Sequence, residues 1–396
     1  MTGSGRRPAK ALLPPLWVPA LLLVVILPLT GALPADEARS LAALTAPVLG
    51  FVVLLTVVAE LCAGAGLFDA VADGAARLAR GRAVALWFLV AAVATACTVV
   101  LSLDTTAVLL TPAVVAVARR VGRDPLPLAL TVLALANTAS LLLPVSNLTN
   151  LMAAPSFDGG YLGVMAAPAA AVVVVVVAAL AVLHAPALRG AYAVPERRRA
   201  ADPVLLRVAA VVVVLMGAGF AAGLPVLLVA LAAVVALGTA TAWRRAPLLV
   251  PVREMVPWRT VVVTAGLFAV VGTWHAHGLT DVLAPLVGTG DDAGSLAQVA
   301  AVGAASANAV NNLPAYLALA PTVAGDDTRL AALLVGVDAG PLVTPWASLA
   351  TLLWLQQYRR HTFSAPGGLV RRAVVQGVVV APLAVGAGIL ALVVGG

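Results

Sequence analysis

The chain has 396 residues, of which 62% are hydrophobic and 10% charged, with a formal net charge of +7 at pH 7. Apolar runs close to 20 residues long recur from Leu12 to Val394, which excludes a water-soluble globule; the pI of about 10.4 therefore reports membrane topology and contact with anionic headgroups, with no nucleic-acid partner implied. No barrel-like alternation is present, so in lipid these runs must be helices, whose backbone groups are satisfied internally.

Full or partial spans are expected at 12–33, 41–62, 83–102, 104–118, 125–157, 160–184, 204–222, 224–242, 258–276, 294–322, 328–357 and 373–394. This is an all-α polytopic membrane protein of about 10–12 hydrophobic segments. Arg6, Arg7 and Lys10 before the first run resemble the start of a secretory signal, but Leu33-Pro34-Ala35 is a poor cleavage site after so long a run, and an uncleaved span is expected. Gly66–Arg80 mixes Leu67, Phe68, Val71 and Leu78 with charges and reads as an interfacial helix. Further along, 83–118 is interrupted by Ser102-Leu103-Asp104-Thr105-Thr106, and 294–322 by Asn308-Ala309-Val310-Asn311-Asn312-Leu313-Pro314.

Of the 24 basic residues, all but Arg39 and Arg329 fall on the side of the N-terminus, which places that side in the cytoplasm of a cell with an inner (plasma) membrane. Asp36, Glu37, Asp158, Asp281, Asp291, Asp292, Asp326 and Asp327 lie in the opposing loops. Segment 83–118 is flanked on both sides by cytoplasmic arginines, and 294–322 by external aspartates, so one hairpin is expected to enter from each face. Two complete crossings by each remain open, because such a length just makes two short helices. The expected organisation is a first inverted repeat over 1–190, a cytoplasmic linker over 191–207 and a second repeat over 208–396.

The stretch Ala136–Asn150 recurs, reworked, as Val337–Thr351, every position moved by 201 residues. Each copy sets Asn137 or Asp338 seven residues before a proline, Pro144 or Pro345, and hydroxyl or amide side chains just after it. Each proline removes a backbone donor and frees polar groups that lipid cannot satisfy, so a polar cavity is expected at both breaks. Ser146, Asn147 and Ser348 are expected to cap the helices that resume. The carboxylates at membrane depth are Asp104, Asp338 and Glu60; such a group costs at least ~3 kcal/mol at the bilayer centre unless protonated or paired, so Asp104 and Asp338 are candidate proton carriers, whereas Glu60 is near enough to a span end to reach water. Cys62 and Cys97 are too few for a three-thiolate site, and His275-Ala276-His277 lies at a span end; no metal site or cofactor is expected.

The run Leu103-Asp104-Thr105-Thr106 through Thr111-Pro112, the block Ser146-Asn147-Leu148-Thr149-Asn150, the pair Asn311-Asn312 before Pro314, and Asp338-Ala339-Gly340-Pro341 through Thr344-Pro345 to Ser348–Trp354 resemble the arsenite and antimonite efflux permeases of the ArsB type. These belong to the ion transporter superfamily, with sodium/proton antiporters and dicarboxylate carriers. The resemblance implies an inverted-repeat fold with two re-entrant hairpins and two broken helices around a midplane site. Carried onto this sequence, the substrate-binding side chains are Ser102, Thr105, Thr106, Asn137, Ser146, Asn147, Thr149, Asn150, Asn308, Asn311, Asn312, Thr344, Ser348 and Thr351, with proton coupling at Asp104 and Asp338. Trp346 stands where the resemblance implies a small residue.

Two buried acids would repel a dianion, which demotes a dicarboxylate or other anion carrier. Local chemistry leaves metalloid/proton and sodium/proton exchange both open; the resemblance favours extrusion of arsenite or antimonite against protons. A membrane-embedded enzyme is disfavoured, since no phosphate loop, HExxH or placed acid pair is present. An ATPase subunit and a homodimer are both left open.

Overall fold

A computed structural model describes residues 17–196, 199–362 and 368–395. Arg6, Arg7, Lys10 and the start of the 12–33 span lie outside these residues, as do Arg197 and Arg198 of the linker. The first half folds as α1 (Trp17–Leu29), α2 (Ala35–Gly64), α3 (Leu67–Leu78), α4 (Ala83–Leu101), α5 (Thr111–Arg120), α6 (Pro125–Thr138), α7 (Leu148–Ala153) and α8 (Tyr161–Leu183). The second half contributes α9 (Pro203–Ala221), α10 (Val226–Trp243), α11 (Trp258–Ala276), α12 (Leu279–Val287), α13 (Ala293–Val310), α14 (Asn312–Leu319), α15 (Asp327–Leu334), α16 (Leu349–His361) and α17 (Leu369–Gly395). Among the described residues, eight helices are long and apolar enough to cross a bilayer.

Aspartates start several of these helices. Asp124, Asp202, Asp292 and Asp326 each accept hydrogen bonds from backbone amides of the first turn of α6, α9, α13 and α15, satisfying donors that the helix itself cannot. Arg244, donating to Asp202 at 2.7 Å, holds that carboxyl below the usual range; the Ser295 hydroxyl does the same for Asp292.

Two packing groups result. Helices α1, α2, α10 and α11 lean on one another, with α9 against α10. The other group is built around the stretch Pro125–Leu142, which is 83% buried against 22% for α10, so the former is central and the latter peripheral. Here the halves interlock: α17 lies along α8, and α16 packs on α5 and α6. Trp354 Nε1 donates to the Ala129 carbonyl at 2.8 Å, and Gln376 Nε2 to that of Leu130 at 3.0 Å. At Gly377, α17 lies against the Leu342 backbone so closely that any Cβ would collide with the carbonyl.

Segments 83–120 and 293–323 both double back. Arg120 pairs with Asp73 of α3 at 2.9 Å, and Ala83 N bonds Gly190 O at 3.3 Å, so the first segment begins and ends at the end of the molecule where α8 finishes. At the other end of α8, the amides of Asp158 and Gly159 face the Asp327 carboxylate, Arg329 donates to the Gly288 and Gly290 carbonyls, and α12 packs against the turn Ala320–Val323 that closes the second segment. The two doublings therefore open towards opposite ends of α8. We call them the arginine-rich end and the aspartate end.

Candidate functional site

The tips of both doublings have the same backbone shape. After α4 the chain turns at Ser102 (φ 90°, ψ 161°), and after α13 at Asn311 (φ 127°, ψ 154°), a region that side-chain-bearing residues avoid and that costs of order 1–3 kcal/mol. The Ser102 hydroxyl then accepts from Thr105 N at 3.4 Å and the Asn311 side-chain Oδ1 from Leu313 N at 3.3 Å, capping the short helices that follow. Thr106–Leu110 and Val335–Ala339 widen into π turns, a feature frequent at functional sites.

The two breaks also match. Asn147 (φ −148°, ψ 146°) and Ser348 (φ −143°, ψ 140°) are both extended and precede α7 and α16. Neither side chain caps its helix, contrary to expectation. Asn147 Nδ2 instead donates to Asp338 Oδ1 at 2.8 Å, where Thr149 Oγ1 also donates at 2.8 Å; a buried carboxyl outcompetes a local cap because, out of reach of water, it must find its hydrogen bonds within the protein. Ser146, likewise expected to cap, donates to Val99 O at 2.8 Å.

A cavity of about 500 Å³ lies where these pieces meet the other packing group. Ser102, Asp104, Thr105, Asn147, Asn311 and Asn312 line it from the tips and the first break. Asp104 Oδ1 is buried there without a hydrogen-bond partner. The opposite wall is α2 over Phe51–Thr56 and α11 over Arg259–Leu267, with Trp17 of α1 at the edge. Only the arginine-end half of α11 contributes, so the cavity is displaced towards that end.

The remaining sequence-derived residues lie behind this wall. Asp338 is 1% exposed, held by Asn147 and Thr149. Thr106 donates to Ser102 O, Asn137 to Leu133 O, and Asn150 to Ser140 O. Asn308 ties the second break together: its amide donates to Gly340 O at 2.9 Å, its oxygen accepts from Thr344 N at 3.0 Å, and Thr344 Oγ1 returns a bond to Asn308 O at 2.7 Å. The hydroxyls of Ser348 and Thr351 are buried without partners. Cys62 and Cys97 do not line the cavity, and among the described residues no group of histidines, cysteines and acids could hold a metal.

Sequence reasoning missed two features. Thr260 and Thr264 face the cavity from α11; their spacing of four, which puts both on one face of the helix, was the available signal. Trp346 secures the second tip, donating from Nε1 to Ala309 O at 3.2 Å while its carbonyl accepts from Asn311 Nδ2 at 2.9 Å. Its size is explained by that role.

Residues 10–353 match the family model of the CitMHS citrate transporters. The chain belongs to the CitMHS transporter family. An arsenical pump membrane protein of Yersinia enterocolitica is 30% identical over 314 residues, covering 73% of each chain, and one of Escherichia coli is 28% identical over 319 residues with the same coverage. A crystal structure of the YdaH transporter of Alcanivorax borkumensis superposes with a TM-score of 0.60 at 18% identity, covering 96% of this chain and 97% of that one. This CitMHS protein is thus a multi-pass membrane transporter of the ion transporter superfamily rather than an enzyme, with an all-helical fold shared with YdaH.

Proposed function

We propose that the protein extrudes arsenite or antimonite from the cytoplasm in exchange for protons, by alternating access, across a plasma membrane in which the arginine-rich end is cytoplasmic. The observation that carries this reading is the cavity lining. Its hairpin tips and first break present hydroxyl and amide groups, and its one acid, Asp104, stands partnerless among them. Such a wall exchanges hydrogen bonds with a neutral trihydroxide, and the acid moves a proton without needing a counter-charge on the solute. The names of the arsenical pump relatives support the same substrate.

In the proposed topology, 83–120 and 293–323 are re-entrant hairpins, the prolines at 144 and 345 mark broken helices, and 1–190 and 208–396 are inverted repeats joined by 191–207. The matching tip conformations at Ser102 and Asn311, and the opposite openings of the two hairpins, support it. Asp104 meets the solute directly. Asp338 exchanges its proton behind the wall and acts on the solute through Asn147.

A second reading rests on Arg259, which lines the cavity at its mouth and would attract an anion such as the citrate in the family's name. Uptake into everted vesicles decides between them: arsenite accumulation driven by an imposed pH gradient is expected, with citrate neither accumulated nor competing. Citrate accumulation with arsenite excluded would establish the second reading, and sodium flux without either solute would make the protein a sodium/proton antiporter.

A further inference from the structure

A separate cavity of about 590 Å³ lies at the arginine-rich end, far along α6 from the breaks. Its walls are the first turns of α6 (Leu126, Pro127, Leu130), the end of α8 with the residues after it (Leu183, His184, Pro186), and the first turns of α17 (Arg371, Arg372, Val375, Gln376). It shares no residue with the transport cavity. We propose that it is a binding site for a phospholipid with an anionic headgroup.

Three observations carry this. First, Arg371 and Arg372 are exposed at its rim and make no ion pair among the described residues. The acid nearest in sequence to the α6 wall, Asp124, is committed to capping α6 through Leu126 N at 3.0 Å. Both guanidiniums sit in the first turn of α17, whose N-terminal dipole adds to their positive field instead of offsetting it, so the rim is a site for a negative group.

Second, the polar groups deeper in the cavity form an ordered chain that holds three helices in place. Gln376 Nε2 donates to Leu130 O at 3.0 Å, which fixes its oxygen towards His184 Nε2 at 3.0 Å. The amide oxygen can only accept, so Nε2 of His184 carries a proton and donates. His184 is itself partly buried in the cavity wall, beside the Pro127 backbone at the start of α6.

Third, the remaining lining is apolar: Leu126, Leu130, Leu183 and Val375, the last more than half exposed. Charge at the rim above an apolar wall at a helix-end level is the pattern of a headgroup over its own acyl chain. A free inorganic anion would use the arginines and leave the apolar wall bare.

The consequence is mechanical. A lipid seated here contacts α6, α8 and α17 together, and α6 leads directly into the first break. Its occupancy clamps the arginine end of the broken helix to the C-terminal helix and favours the packing seen here.

The test uses the full-length protein in mild detergent, with phosphatidylglycerol, phosphatidylcholine and inorganic phosphate as the probes, read by native mass spectrometry. Wild-type protein is expected to retain phosphatidylglycerol preferentially. Arg371→Gln with Arg372→Gln should weaken that retention roughly twenty-five-fold, from about fivefold per basic residue removed, while Arg371→Lys with Arg372→Lys keeps most of it. Val375→Trp, which fills the apolar wall without touching a charge, should expel phospholipid; it also serves if the double glutamine variant fails to fold. Equal retention of both lipids by wild type, no effect of charge removal, or phosphate binding that competes fully with lipid and survives Val375→Trp would each overturn the lipid assignment; the last outcome would leave an anion site instead.

Discussion

Asn147 is in the wall of the cavity and also donates to Asp338, and the Asn312 side chain, in the same wall, hydrogen-bonds that carboxyl too, so two amides join the cavity to an acid that does not reach it. Removing the Asn147 donor leaves a buried acceptor one bond short, at a cost of about 1–3 kcal/mol, whereas Asp338→Asn removes the carboxyl and the proton site together. Asn147→Ala is therefore expected to weaken apparent arsenite affinity severalfold in everted vesicles, and Asp338→Asn to abolish accumulation driven by a pH gradient with membrane insertion intact. If the two act through one bond, the double variant should bind arsenite in detergent, where no transport is required, no more weakly than Asp338→Asn alone. Strictly additive losses would separate the two residues and remove Asp338 from the coupling path. The cysteines make the opposite case: neither lines the cavity, so Cys62→Ser with Cys97→Ser should leave arsenite resistance in cells intact. Loss of resistance at normal expression would point to thiolate capture.

At the scale of elements, the hairpin tips concentrate strain where solute is expected. Ser102 and Asn311 adopt a conformation that glycine takes freely, yet each keeps a side chain that caps the following helix and lines the cavity. Ser102→Gly should thus raise thermal stability, by about 1 kcal/mol once the lost cap is set against the relieved strain, and should lower the transport rate; a variant equally active and more stable would show that the hydroxyl has no role in transport. These tips were legible as interruptions because Ser-Leu-Asp-Thr-Thr and Asn-Ala-Val-Asn-Asn cannot continue an apolar run, and the breaks because Pro144 and Pro345 sit at matched spacing. What the side chains do there was less legible. Asn147 has the composition of a helix cap, but its partner lies 191 residues away in sequence, and no local pattern announces a bond that only tertiary folding brings into range. Asn308 and Trp346 were opaque for the same reason, since both act on backbone more than 30 residues distant. The wall from α2 and α11 escaped because apolar residues dominate it, and apolar residues in a membrane helix read as lipid-facing or packing filler.

For the molecule as a whole, the displacement of the cavity towards the arginine-rich end defines a state, and the aspartate end shows what holds it closed. There α11, from the peripheral group, reaches the second hairpin through His275, whose Nε2 lies 2.9 Å from Leu317 O while Nδ1 lies 2.8 Å from the Thr280 hydroxyl. A carbonyl can only accept, so Nε2 donates; in the neutral ring Nδ1 then accepts from Thr280. The histidine pair that reads from sequence as ordinary polar decoration of a span end thus provides a direct bond between the two packing groups on the side away from the cavity. In the proposed alternating-access cycle, opening towards the aspartate end breaks it. His275→Ala removes a net contribution of about 1 kcal/mol from the closed form, which shifts a two-state equilibrium roughly fivefold towards opening at the aspartate end. With a single cysteine at Thr105 in a cysteine-free background, right-side-out vesicles should accordingly show faster labelling by an impermeant thiol reagent when His275 is alanine, and everted vesicles slower labelling. An unchanged ratio between the two orientations would mean that the bond to Leu317 breaks in neither half of the cycle, and that the hairpin and α11 move as one body.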